Sequence, residues 1–135
     1  MATAASIIGE VGYLTTTDED GDLAFKIEGV RGYFQTAEGD DNFARIWIRF
    51  GLEPEIDIDK AIRIANRLTS TTKAVKLTIN PTTRHFTVSV ECLFEDIEHL
   101  RAPMERIFHA LVSADADFYA QLLQPESSME TNVTA

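Results

Sequence analysis

The sequence predicts a single α+β domain, an antiparallel sheet covered mainly on one face by helices. Apolar and polar residues alternate in several short runs, the period of half-buried strands. Turn-forming clusters of Gly, Asp, Asn and Pro join those runs closely enough for hairpins. Two longer stretches keep helical spacing and stand apart from the strand runs, which separates this pattern from a βαβ repeat. The 135 residues make one ordinary domain, and 44% hydrophobic residues are enough for a packed core.

The elements follow in order. Thr3 to Gly12 reads as a short helix with Ile7, Ile8 and Val11 on one side, weakened by Gly9 and Gly12. Asp18-Glu19-Asp20-Gly21-Asp22 is a polar turn. Leu23, Phe25 and Ile27 alternate with Ala24, Lys26 and Glu28 as a first strand. Gly29 to Gly32 reads as a tight connection into a second strand, Tyr33 to Thr36, and Glu38 to Asp41 as a second acidic turn. Phe43 to Leu52 is the strongest strand. Ala44, Ile46, Ile48, Phe50 and Leu52 lie on one face, and Phe43, Arg45, Trp47 and Arg49 on the other.

Pro54 ends that run, and Asp57 is a good N-cap for the next helix. Ile58, Ala61, Ile62, Ala65 and Leu68 form its apolar stripe to about Thr69. Ile64 stands at the edge of the stripe and is the residue expected at a dimer interface. Val75, Leu77 and Ile79 give the next strand, and Asn80-Pro81-Thr82-Thr83 a hairpin loop. The last strand places Phe86, Val88, Val90, Cys92 and Phe94 on one face. The last helix carries Ile97, Leu100, Met104, Ile107, Phe108, Leu111, Phe118 and Leu122. Pro103 must kink it or start a new segment there. Residues 1–123 form the domain, and 124–135 read as a disordered, polar tail. The expected order is α-β-β-β-α-β-β-α, a five-stranded antiparallel sheet with three helices.

Charge bounds the partners. With 22 acidic and 12 basic residues the net charge is −10, a field that repels phosphate backbones and anionic membranes. Neither nucleic acid nor membrane is expected as a partner. The single cysteine, Cys92, excludes an intrachain disulfide. Met1 to Leu14 has neither the basic nor the long apolar region of a secretory signal, and no apolar run approaches the ~20 residues that span a bilayer. A cytoplasmic location is expected.

No candidate catalytic or metal-binding group survives inspection of its spacing. Asp18, Asp20 and Asp22 open like a calcium loop, but Gly29 stands where the closing Glu is needed. Glu95, Asp96, Glu98 and His99 crowd a helix start, where acidic residues belong for electrostatic reasons. His85, His99 and His109 are not paired with any nucleophile, and Cys92 alternates with core residues. The Asn132-Val133-Thr134 sequon means nothing without a secretory signal. No enzyme activity, cofactor or metal is expected.

The informative group is Arg45, Trp47 and Arg49, with Tyr33 and Gln35 beside them and Lys76 and Thr78 on the same face. A cationic face with an aromatic centre is unexpected in so acidic a chain. Trp and Arg are the residue types that anchor interfaces.

The pattern resembles the bacterial YbjN-like family of proposed sensory transduction regulators, and more distantly the type III secretion chaperone fold. The stretches that carry it are Asp18 to Phe25, Arg49-Phe50-Gly51-Leu52, Ile58 to Asn66 and the Val75 to Val90 hairpin. The resemblance covers roughly Ile7 to Leu122. It implies a five-stranded antiparallel sheet with three helices, a homodimer and no enzyme activity. The first helix here is shorter than that of the chaperones.

The expected function is therefore that of a chaperone-like or regulatory protein-binding module, holding a partner segment on its sheet face or edge. Trp47 is the expected apolar anchor. Arg45 and Arg49 pair with the partner's carboxylates, and Tyr33 stands beside them. The alternative is a small-molecule sensor, which needs a concave pocket between sheet and helices.

Overall fold

The computed structural model describes residues 2–125. Of the expected tail, 124–135, all but the first two residues lie outside the described residues, as does the 132–134 sequon. The chain runs through α1 (Ala2–Val11), β1 (Thr16–Thr17), β2 (Leu23–Ile27), β3 (Val30–Ala37), β4 (Asp40–Gly51), α2 (Ile58–Thr71), β5 (Lys76–Asn80) and β6 (His85–Leu93). A 3₁₀ turn, Ile97–Leu100, then precedes α3 (Met104–Leu122). The strands form one six-stranded sheet in the order β1-β2-β3-β4-β6-β5, every neighbouring pair antiparallel.

The sixth strand, absent from the sequence reading, is β1. It pairs Thr16 with Ala24 and Thr17 with Leu23 and is too short to show any alternation. The β2–β3 turn also differs. Glu28 (φ 52°) and Gly29 (φ 79°) are both left-handed, as a two-residue type I′ hairpin requires. Strand β3 therefore begins at Val30, and Gly32 lies inside it. The reason is steric. A Cβ on Gly32 would stand 2.4 Å from Cε2 of Phe25 and 3.1 Å from Cγ2 of Ile48. Only glycine lets the Phe25 ring lie across the neighbouring strand.

Local chemistry sets the helix boundaries. The Asp57 carboxylate accepts from the amides of Asp59 and Lys60, satisfying donors that the first turn of α2 leaves free. Pro103 starts a new segment instead of kinking a continuous helix, and α3 begins after it. The β5–β6 loop is tied by the Asn80 side chain, which accepts from the amides of Thr82 and Thr83. The same loop ends at Arg84 in the left-handed region (φ 60°). Its guanidinium donates to the carbonyls of Glu53 and Ile56 at 2.9 and 2.6 Å, holding the β4–α2 connection against the loop.

All three helices pack on one face of the sheet. The core joins Leu23, Phe25 and Ile27 of β2, Phe34 of β3, Ala44, Ile46 and Ile48 of β4 and Phe86, Val88 and Val90 of β6 to the helices. Each such side chain, fully buried, contributes roughly 1.5–3 kcal/mol. Phe86 stacks on Phe118 with centroids 3.9 Å apart, and Phe25 on Phe108 at 4.8 Å.

Helix α2 corrects one expectation. Its buried residues are Ala61, Ile64, Ala65 and Leu68. Ile64 is fully buried in the chain's own core and has no surface to offer a second copy. The outward isoleucine is Ile62, 38% exposed. At ~100° per residue the two lie on opposite borders of one stripe, so the phase of the helix, unreadable from the pattern, decides which one is covered.

The edge of β5 is closed in its middle. Leu77 turns its amide and carbonyl away from β6, and the Thr69 hydroxyl of α2 engages both. It accepts from the Leu77 amide at 2.9 Å and donates to the carbonyl at 3.2 Å.

Candidate protein-binding face

The second face of the sheet carries none of the helices. Antiparallel register fixes its rows. Residues directly opposite one another form a line across the strands, Thr16–Ala24–Tyr33–Trp47–Ser89–Lys76. Beside it run Gln35–Arg45–Glu91 on one flank and Lys26–Arg31, with Arg49–Thr87–Thr78, on the other. The expected residues Arg45, Trp47, Arg49 and Tyr33 are thus all placed on one open face.

At the centre, the Tyr33 and Trp47 rings stack with centroids 4.6 Å apart and planes 29° apart. Guanidinium groups lie over them: Arg45 and Arg49 over Trp47 at 5.1 and 5.5 Å, and Arg31 over Tyr33 at 5.6 Å. These are cation–π distances. Ser89, almost fully buried, and Ala24, 4% exposed, form the floor of the row. The Trp47 indole N–H is buried without an acceptor. Past Ala24 the row opens into a recess of about 400 Å³ bounded by Leu14, Thr16, Lys26 and Arg31.

The electrostatics are lopsided. Lys26 stands directly opposite Arg31, a like-charge pair that works against the sheet. Among the described residues, Lys26, Arg31, Arg45 and Arg49 form no ion pair with a carboxylate. Lys76 alone is matched, to Glu91 at 2.8 Å. The Lys76 hydrogen bond is the main reason the Glu91 carboxyl is held below its usual range. Arg45, directly opposite Glu91, also helps to hold that carboxyl down through its charge, whereas Lys26, Arg31 and Arg49 form no ion pair among the described residues.

Sequence reasoning missed Lys26 and Arg31 as members of this face. The signal existed in Glu28-Gly29. A two-residue turn there puts Arg31 opposite Lys26 and two residues before Tyr33, on the same side. The other candidate groups stay apart. Asp18 accepts from the amides of Asp20 and Asp22, a turn closed on its own side chain. His85, His99 and His109 lie on different elements, and His109 meets the Ser113 hydroxyl at 3.4 Å. Burial pushes the half-buried Cys92 thiol above its ordinary pKa, toward the unreactive form. Among the described residues no three His, Cys, Asp or Glu side chains are placed to hold a metal ion, and no helix is long and apolar enough to cross a membrane.

No protein-family model and no curated protein sequence matches the chain. Solved structures do. An uncharacterized protein from Methanothermobacter thermautotrophicus superposes with a TM-score of 0.60 at 14% identity, covering 90% of this chain and 97% of that one. YbjN from E. coli, a proposed transcription regulator, gives 0.60 at 14% identity, covering 85% and 90%. The Yersinia pestis type III secretion chaperone SycH, solved with a fragment of YscM2, gives 0.48 at 12% identity, covering 82% and 98%. The fold of this chain is the α+β fold of the YbjN structure, an antiparallel sheet with three helices.

Proposed function

We propose that this protein is a non-enzymatic partner-binding module, chaperone-like or regulatory, that holds an acidic segment of another protein on its open sheet face. The observation that carries the reading is the row of stacked Tyr33 and Trp47 flanked by arginines that form no ion pair with a carboxylate among the described residues. Trp47 is the anchor. Arg45 and Arg49, four residues and so ~13 Å of backbone apart on one strand, offer one carboxylate site on each side of Trp47. The orphaned indole N–H is the donor for a partner oxygen once the guanidiniums swing from ring to carboxylate.

Two features support the face over the β5 edge and protein over nucleic acid. The middle of that edge is already occupied by Thr69. The faces of the aromatic rings are taken up by each other and by guanidinium groups, so a base would have to displace those cations to stack there. Membership of the YbjN-like group, a cytoplasmic site of action and a homodimer fit the same reading. A two-fold dimer through this face would set its cations against their own copies, so a homodimer must use another surface.

Trp47 is the chain's single tryptophan, and its emission therefore reports on the site directly. The test titrates an extended acidic peptide with a central aromatic residue, its lysine-substituted counterpart and a single-stranded oligonucleotide. The acidic peptide is expected to shift the emission saturably, less so at high salt. The R45E/R49E variant is expected to lose roughly tenfold or more in affinity while remaining folded, with a small loss of melting temperature because an acidic side chain at position 45 would face Glu91. Equal binding of the lysine peptide, tighter binding of the oligonucleotide, or an indifferent R45E/R49E would sink the reading.

A further inference from the structure

On the opposite, helix-covered side, the α2–β5 loop, β6 and the start of α3 enclose a cleft of about 370 Å³. Its floor is Val90 of β6, and its walls are Pro103, Ile107 and Ala110 at the start of α3. Lys73 and Arg106 stand at the rim, one on the α2–β5 loop and the other on α3. Neither forms an ion pair among the described residues, in a chain with 22 acidic side chains available to supply one. Ala74, also at the cleft, holds a left-handed backbone (φ 65°), which an alanine adopts only at a cost. Such strain is characteristic of loops fixed for a purpose other than stability. The volume lies at the lower end of the ~300–1,000 Å³ of small-molecule sites.

We propose that this cleft binds an amphipathic monocarboxylate of the fatty-acid class, its chain on Val90, Ile107 and Ala110 and its carboxylate between Lys73 and Arg106. An apolar trough lined also by two cations matches both parts of that chemistry. The chain leaves water for Val90 and Ile107, and the head keeps charge-assisted hydrogen bonds at the surface. A neutral alcohol of the same length forgoes the head contacts, and a short carboxylate forgoes the trough. The site is separate from the open sheet face and stands or falls independently of it.

The experiment follows backbone amide shifts by NMR on the full chain during titration with decanoate, decanol and acetate. Decanoate is expected to move Val90, Ile107, Ala110 and the 73–75 loop saturably, roughly tenfold or more tighter than either control. K73E/R106E replaces exposed side chains and is expected to abolish that preference while the melting temperature holds. Ala110→Trp fills the trough and is expected to remove decanoate binding with both cations intact. Decanol binding as tightly as decanoate overturns the proposal, as do shifts that map elsewhere or a K73E/R106E protein that binds normally.

Discussion

Gly32→Ala is the sharpest probe of how the sheet is assembled. The new methyl carbon would lie 2.4 Å from Cε2 and 2.6 Å from Cζ of Phe25, where ordinary contact begins near 3.4 Å. The ring tip must retreat by about 1 Å. Its packing in the core opposes that shift. Phe25 is 3% exposed and stacked on Phe108 at 4.8 Å, and Phe108 is held edge-on by Tyr13 at 5.0 Å. Overpacking of this kind costs about 1–3 kcal/mol. For a domain of this size each kcal/mol lowers the melting temperature by roughly 3–5 °C, so a mid-range cost predicts a drop of about 8 °C. Calorimetry or far-UV thermal melts measure it. Phe25→Leu in the Gly32→Ala background shortens the ring side and is expected to recover part of the loss, with a coupling of about 1 kcal/mol in the double-mutant cycle. A single variant that melts within about 2 °C of wild type, or a strictly additive cycle, refutes the steric reason for Gly32.

Arg84→Ala removes the guanidinium that binds the carbonyls of Glu53 and Ile56 and is expected to cost about 1.5–3 kcal/mol in chemical denaturation. Arg84→Lys is not expected to rescue it fully, because both carbonyls are held by the one nitrogen Nη2 and the shorter lysine chain ends one bond short of that position. Asp115 of α3 has a carboxylate oxygen buried without a hydrogen-bond partner, and burial raises its pKa in the fold. The native state thus holds that proton more tightly than the unfolded chain. Stability is lost as pH rises from the unfolded pKa through the raised folded one. Asp115→Asn is expected to raise the melting temperature at about pH 7 and to lose that advantage near pH 3, where the carboxyl is protonated in both states. A gain of equal size at both pH values would show that charge burial is not the cause.

Strands were legible where alternation ran long. The two faces of Phe43–Leu52 were assigned from sequence alone, and Arg45, Trp47 and Arg49 do share the uncovered one. The N-cap at Asp57 and the break at Pro103 were legible for the same reason, since each follows from one residue's hydrogen-bonding chemistry. What escaped depended on a third dimension. β1 has two residues and no period. Gly32 looked like turn material because its role is to make room for a ring on the neighbouring strand, which no local pattern encodes. Ile62 and Ile64 are equally apolar, and only the docking of α2 on β5 decides which one sees water. The cleft beside Lys73 and Arg106 joins a loop, a strand and a helix far apart in sequence, so no motif announces it.

The Thr69 hydroxyl that grips both main-chain groups of Leu77 bears on life at high concentration. An uncovered strand border recruits other chains into a growing sheet, and proteins that attend to extended, aggregation-prone segments meet such strands constantly. Here one side chain of a packed helix has already claimed the hydrogen bonds that a recruit would use. A stray strand therefore finds no free main-chain partner at the middle of that border.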